Sequence, residues 1–218
     1  DFLYKYIGMS VNQLIILRGG VRYFNRCFEK FINVIQKPFI YASIFLRGIH
    51  IGRGCKFYGM PYWDINRGGS ISIGDGCVFR SRKYSNHMGL NHRCMISATI
   101  SKKGQKANVV IGNKCGFSGV SIWCFNEIIL GNNVRVGANS LIMDGDAHDD
   151  DPRTTPPRPI HIEDNVFIGA NCVIKKGVTI GKNSVIGMNS VVTHDIPANS
   201  IAVGVPAKVI RIIQTDKS

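Results

Sequence analysis

Aliphatic residues recur at every sixth position through the C-terminal half of this chain, and that period excludes most folds at once. Ile162, Ile168, Ile174, Ile180, Ile186 and Val192 form one series; Leu130, Val136 and Ile142 form another. Gly131, Gly137, Gly169, Gly181 and Gly187 follow directly on members of these series, and a small or branched residue stands four places on (Val134, Ser140, Val166, Cys172, Val178, Ser184, Ser190). A helix repeats every 3.6 residues and a half-buried strand every two. A period of six fits a chain that lays down a short strand, turns a corner at Gly or Asn, and lays down the next. The expected fold is therefore all-β, a β-solenoid. Looser copies at "IGRGCK" from Ile51, "IGDGCV" from Ile73 and "IGNKCG" from Ile111 extend it over 51–204.

One main domain of this kind suits a chain of 218 residues. Residues 1–50 follow another pattern. Phe24, Phe28, Phe31, Ile32 and Ile35 fall at helical spacing with Arg22, Arg26, Lys30 and Lys37 interleaved, which predicts a basic amphipathic helix that Pro38 ends or kinks. Such a helix suits an anionic membrane surface, and equally the end of the solenoid or a neighbouring subunit. Residues 205–218 are expected to form a short C-terminal helix or tail.

The balance of 27 Lys+Arg against 14 Asp+Glu, a formal charge of +13, points to an anionic partner: nucleic acid, an acidic membrane or a phosphorylated cofactor. The basic residues are spread along the chain with no nucleic-acid module, which sets nucleic acid aside. The cysteines, seven in number with no C-x-x-C pair, sit mostly at repeat positions and read as reduced core residues of a cytoplasmic protein. The longest apolar run, "PFIYASIFL", is too short to span a bilayer, and no signal-peptide pattern opens the chain, which begins at Asp1.

From Ile142 to Ile162 is twenty residues, not a multiple of six, so 144–161 must leave the solenoid wall as a loop. The loop carries "DGDAHDDD", one histidine among acids, and then "PRTTPPRP", whose prolines suit an extended arm reaching a neighbouring subunit. Loops on a rigid scaffold are favoured places for chemistry. A solvated acidic turn and a metal loop are the other readings of "DGDAHDDD". It lacks the glycine and terminal glutamate of a calcium loop, and His148, His161 and His194 lack an obvious zinc-ligand spacing.

The run "IHIEDNVFIGANCVIKKGVTIGKNSVIGMNSVVTHDIPANSIAVGVPAKVIR" resembles the C-terminal half of hexapeptide-repeat acyltransferases of the galactoside, maltose and polysaccharide O-acetyltransferase kind. The resemblance covers Ile51 to Arg211 and is strongest from Val109 onward; its most specific parts are the D-x-D-x-H before the loop, "NVFIGANCVI" and "DIPANSIAVGVPAKVI". It implies a left-handed parallel β-helix with three hexapeptides per coil, a homotrimer, acetyl-CoA as donor, no metal, and a sugar hydroxyl as acceptor. It further implies that His148 is the general base, taking the acceptor proton while the hydroxyl attacks the thioester directly. Asp144 or Asp146 would hold the other ring nitrogen.

The same resemblance sets Phe167 in the pantetheine channel. Ala170 and Met188, beside Gly169 and Gly187, would offer backbone groups to the pantetheine amides, although the family usually has alanine where Met188 stands. Thr193, Lys208 and Arg211 would lie at the adenosine and phosphate end, with Lys175, Lys176 and Lys182 on the same coils. On the acceptor side, Ser118 replaces an asparagine of galactoside-type relatives and Asn126 lies near an aspartate position, which argues against a galactoside. Asn91 and His92 of "GLNHRC" match a stretch of polysaccharide-biosynthesis members, and Trp123 offers a sugar platform or a core or trimer contact. The implied activity is acetylation of a lipid-linked or nucleotide-linked saccharide for surface polysaccharide or lipopolysaccharide, in the cytoplasm at the inner face of the membrane. An amino-sugar N-acetyltransferase and a non-catalytic β-solenoid scaffold are the alternatives.

Overall fold

The computed structural model describes residues 11–66, 68–99, 106–148 and 151–214, and within its helix the side chains of 27, 28 and 31 onward. The interleaved Arg22, Phe24, Arg26 and Lys30 therefore lie outside the described side chains, as do Asp149 and Asp150 of the acidic stretch. The chain divides into two compact units, Asp1–Phe39 and Ile40–Ser218.

Helix α1 spans Val11–Leu46 with Pro38 inside it, so the expected break at Pro38 does not end the helix. Proline there removes one N–H and leaves the Val34 carbonyl without its helical partner, a local cost. The helix continues because Ile40 and Ile44 are buried in the core of the second unit. In the first unit α1 exposes Phe28, Phe31, Val34, Ile35 and Phe39.

The second unit is a β-helix of three sheets. The first sheet stacks β1 (His50–Ile51), β4 (Ser70–Ile73), β7 (Asn108–Ile111), β10 (Glu127–Leu130), β13 (Ile160–Ile162) and β16 (Thr179–Ile180). The second stacks β2 (Lys56–Tyr58), β5 (Val78–Arg80), β8 (Gly116–Ser118), β11 (Arg135–Val136), β14 (Phe167–Ile168), β17 (Val185–Ile186), β19 (Ser200–Gly204) and β20 (Ala207–Ile212). The third stacks β3 (Tyr62–Ile65), β6 (Met95–Ala98), β9 (Ser121–Cys124), β12 (Leu141–Met143), β15 (Val173–Lys175) and β18 (Val191–Val192). Pairing is parallel except between β19 and β20.

Each inward residue lies against its equivalent one coil away. In the second sheet the column is Phe57, Phe79, Phe117, Val136, Ile168, Ile186 and Ala202. In the third it is Trp63, Ile96, Ile122, Ile142, Ile174 and Val192. The N-terminal coils look irregular in sequence because aromatic rings fill these columns: Phe57, Phe79 and Phe117 stack at 5.4 and 5.2 Å between centroids. The corners need a left-handed residue, which asparagine tolerates better than most. Asn133, Asn139, Asn165, Asn171, Asn183, Asn189 and Asn199 all have φ between 55° and 61°. Their amides also bond coil to coil, Asn165 to Asn183 (3.1 Å) and Asn183 to Asn199 (2.8 Å). The cysteines are free, and all but Cys27 are buried.

A regular coil takes 18 residues, the step between the bonded corner residues Asn165 and Asn183. The preceding coil is longer: Asn133 bonds to Asn165, 32 residues on. The excess is looped out between β12 and β13, while Leu130 still pairs with Ile162 in register. A second insertion lies between Phe79 and Ile96, which stand almost three hexapeptides apart where one is regular. At the C terminus the expected helix or tail is a strand: "AKVIRI" pairs back on β19, as its β-branched residues favour.

Asp144 secures the exit of the longer loop and is completely buried. Its Oδ1 accepts from the Phe125 N–H (2.7 Å), and its Oδ2 accepts from the N–H groups of Asn126 and Glu127 (both 2.8 Å) and from the Cys124 thiol. Burial pushes its carboxyl up, while the backbone donors pull it down. The Arg158 N–H closes the loop by donating to the Asp144 carbonyl (2.8 Å).

Two stability measurements follow from these contacts. Asn183→Ala forces an alanine into a left-handed corner and should cost about 1–2 kcal/mol or more in urea unfolding, with Asn183→Gly costing less. Asp144→Asn turns an NH2 toward backbone N–H donors and should lose about 1–3 kcal/mol by the same assay, because at least one buried donor loses its acceptor.

Candidate active site

Where β11, β14 and β17 end and turn toward the third sheet, the outer surface holds a groove of about 580 Å³. Phe167 stands outward on β14, 46% exposed, between Arg135 and Val185 of the neighbouring coils. The chain turns tightly here. A Cβ at Gly137 would lie 2.5 Å from the Gly169 carbonyl carbon, and one at Gly169 2.6 Å from the Met188 nitrogen. Ala170 packs with Ala138 and with Leu90 of the shorter insertion, which walls the groove. Among the described residues the N–H groups of Ala170 and Met188 carry no backbone partner, so two donors remain for a ligand.

Phe167, Gly169, Ala170, Gly187 and Met188 thus line one groove, together with Ser118. Thr193, Lys208 and Arg211 do not line it. Thr193 Oγ1 lies 2.8 Å from His194 Nδ1 just beyond β18. Lys208 and Arg211 are exposed on β20, paired with Val203 and Ile201, at the C-terminal end of the sheet that carries the groove.

His148 occupies another corner. It is exposed beside Asp151, Pro152 and Arg153 on the loop that leaves β12, and no described residue bonds its ring. The expected support of that ring by Asp144 is corrected: both oxygens of Asp144 are spent on the turn at 124–127. Asp146 pairs with Lys176 Nζ instead of the histidine, and the Lys176 ammonium holds its carboxyl below the ordinary range. Lys176 also donates to the Thr155 carbonyl (2.8 Å), and its own carbonyl accepts from Arg158 Nη2 (3.3 Å). Lys176 is only 9% exposed, so it braces the loop against the wall and is not a surface cation awaiting a phosphate.

The acceptor candidates separate. Ser118, buried in the groove wall, accepts from Asn86 Nδ2 (3.1 Å). Asn91 is tied through its N–H to Asn139 Oδ1 (2.9 Å), and His92 lies with Nδ1 2.9 Å from the Arg93 carbonyl; neither lines the groove. Trp123 is on the third sheet beside Met143, the residue from which the histidine loop departs; its Nε1 donates to Thr99 Oγ1 (3.2 Å). Asn126 sits in the turn that Asp144 closes. The strands of the third sheet, up to four residues long, separate the two corners by about 13 Å.

Sequence reasoning missed the brace of Lys176, Asp146 and Arg158, and missed Arg80, Asn86, Lys114 and Arg135, which also line the groove. A signal existed. The residue just before each inward position of the second sheet points outward, and Val78, Gly116, Arg135, Phe167 and Val185 form one such column.

A family model described as the hexapeptide repeat of succinyl-transferase matches residues 159–194. The galactoside O-acetyltransferase of Escherichia coli is 62% identical over 55 residues, 25% of this chain and 27% of that protein. The 2,3,4,5-tetrahydropyridine-2,6-dicarboxylate N-acetyltransferase of Staphylococcus aureus is 42% identical over 83 residues, 37% of this chain and 31% of that one. The chain thus matches less than a third of the length of each of these two curated relatives. Among solved structures, the polySia-specific acetyltransferase NeuO superposes with a TM-score of 0.50 at 26% identity, covering 78% of this chain and 90% of that one. With its coils of three hexapeptides, the repeat model matched over residues 159–194 and the superposition on NeuO, the chain has the left-handed parallel β-helix fold of hexapeptide-repeat proteins and is similar to acyltransferases built on it.

Proposed function

We propose that this protein transfers an acetyl group from acetyl-CoA to a sugar hydroxyl, with His148 as general base. The observation that carries this reading is the pairing, on one solenoid, of an exposed histidine on a braced loop with a groove that offers an aromatic face and two free N–H donors. The acceptor O–H proton passes to the His148 ring as the oxygen attacks the thioester carbonyl carbon. The C–S bond then breaks, and the departing sulfur takes the proton from the imidazolium, leaving acetylated sugar and free CoA.

Groove and histidine lie at different corners of one chain, which favours a homotrimer in which the groove of one copy faces the His148 loop of the next. The names of two relatives, acting on a galactoside and on polySia, support a saccharide acceptor, here a lipid-linked or nucleotide-linked precursor of surface polysaccharide or lipopolysaccharide. The exposed Phe28, Phe31, Val34, Ile35 and Phe39 suit work at the inner face of the membrane. No helix among the described residues is long and apolar enough to cross one. The match to an N-acetyltransferase favours a second reading, transfer to the amine of an amino sugar.

Release of thiol from acetyl-CoA over a panel of sugars, amino sugars and nucleotide sugars tests the assignment. His148→Ala should lower kcat by about 10²–10⁴-fold with a hydroxyl acceptor while leaving CoA affinity unchanged. A much smaller loss with an amine acceptor favours the second reading, and absence of CoA binding favours a scaffold. Lys176→Met should lower kcat roughly 10–100-fold by loosening the loop, with the KM for acetyl-CoA nearly constant. Asp146→Asn should match it, and the double variant should be no worse. Because Lys176 depresses the Asp146 carboxyl, the ion pair stabilises the folded loop above the ordinary Asp value of about 3.9 and is lost only as pH falls through the lower folded value.

A further inference from the structure

The N-terminal half of the groove is basic. Arg80, Lys114 and Arg135 line it, and no described acidic residue does. Arg135 stands in the outward column directly between Phe167 and Gly116. At Gly116 an added Cβ would meet nothing within 4 Å, so the surface opens into a notch between Arg135 and Val78. Arg80 lies at the side of this notch, held by the Tyr58 ring (4.7 Å from its guanidinium carbon) and by its Nη1 donating to the Ser85 carbonyl (2.7 Å). Its other N–H groups remain available. Among the described residues neither Lys114 nor Arg135 has an ion-pair partner.

We propose that this notch binds an anionic group of the acceptor, a carboxylate or a phosphate, so that the preferred acceptor is an acidic or phosphorylated saccharide. The inference rests on the reading above, in which acetyl-CoA fills the part of the groove around Phe167, Ala170 and Met188. Coenzyme A also carries phosphates, but on the same reading they lie elsewhere. Arg135 and the departure point of the His148 loop belong to the same coil, β10 to β12, so the thioester must reach that coil. The exposed cations Lys208 and Arg211 stand on β20, four strand spacings or about 19 Å along the same sheet. They suit the phosphate end of the donor, and what enters the notch beyond the thioester is the acceptor. Arginine forks match carboxylate and phosphate oxygens in pairs, which supplies orientation as well as attraction.

The test uses the full chain. Calorimetric titration with CoA comes first, and failure to bind would count against the acetyltransferase reading itself. The CoA-saturated protein, its donor phosphate site now filled, is then titrated with inorganic pyrophosphate, galacturonate and neutral galactose. The expected result is binding of the two anions with galactose at least tenfold weaker, and a loss of anion affinity of at least tenfold in Arg135→Gln with CoA affinity within twofold. Gly116→Val, which fills the notch without touching a charge, should give the same loss. The proposal is overturned if the CoA-loaded protein ignores both anions, if galactose binds as well as they do, or if Arg135→Gln weakens CoA in place of the anions.

Discussion

Coil-on-coil stacking at an interval of 18 residues is the constraint from which the rest of this structure follows. Each inward side chain rests on its equivalent above and below, so burial is shared along columns and not gathered into one centre. Parallel strands in such a stack bond only to the next coil, and each corner must turn in the space of one or two residues. That is why asparagine in the left-handed conformation recurs at the corners, and why glycine stands where the backbone of one coil nearly touches that of the next. A wall built this way tolerates extra residues only at corners. Both described departures that frame the site, the segment carrying Leu90 and the one carrying His148, are corner insertions.

The histidine loop shows how a long insertion is kept in place. Asp144 anchors its exit to the backbone of the coil below, Arg158 meets it on return, and Lys176 reaches out from the wall to Asp146 and the Thr155 carbonyl. Asp144, Asp146 and Lys176, which look like candidates for chemistry, are instead framework, while His148 is exposed and its ring is bonded by no described residue. The division of labour has a simple physical basis. A carboxylate that loses all contact with water must find donors for its lone pairs, and backbone N–H groups supply them at a fixed distance and angle.

Much of this was legible in the sequence. The inward residues of the C-terminal coils and the departure of a loop between Ile142 and Ile162 follow from counting in sixes. The rest was hidden for identifiable reasons. An aspartate four residues before a histidine looks like its partner until burial shows that both its oxygens face inward. Pro38 reads as a helix end or a kink, and Ile40 and Ile44 in the core decide against the end. The C-terminal "AKVIRI" has no repeat of its own, because it pairs with a strand of opposite direction and escapes the period. The basic notch was least visible: Arg80, Lys114 and Arg135 lie far apart in sequence and become neighbours only once the insertion after Phe79 has been assigned its true length.

The solenoid also acts as a ruler. Its graduations are single strand spacings of about 4.8 Å, and nothing between them is available without breaking the register. A relative that gained or lost one whole coil between Gly116 and β20 would keep every corner in phase, yet would change the separation of the notch from Lys208 and Arg211 by one graduation. Distances between outward residues in such a fold are therefore set in discrete steps, by whole coils, while the chemistry a surface offers is set by the few outward residues that decorate them.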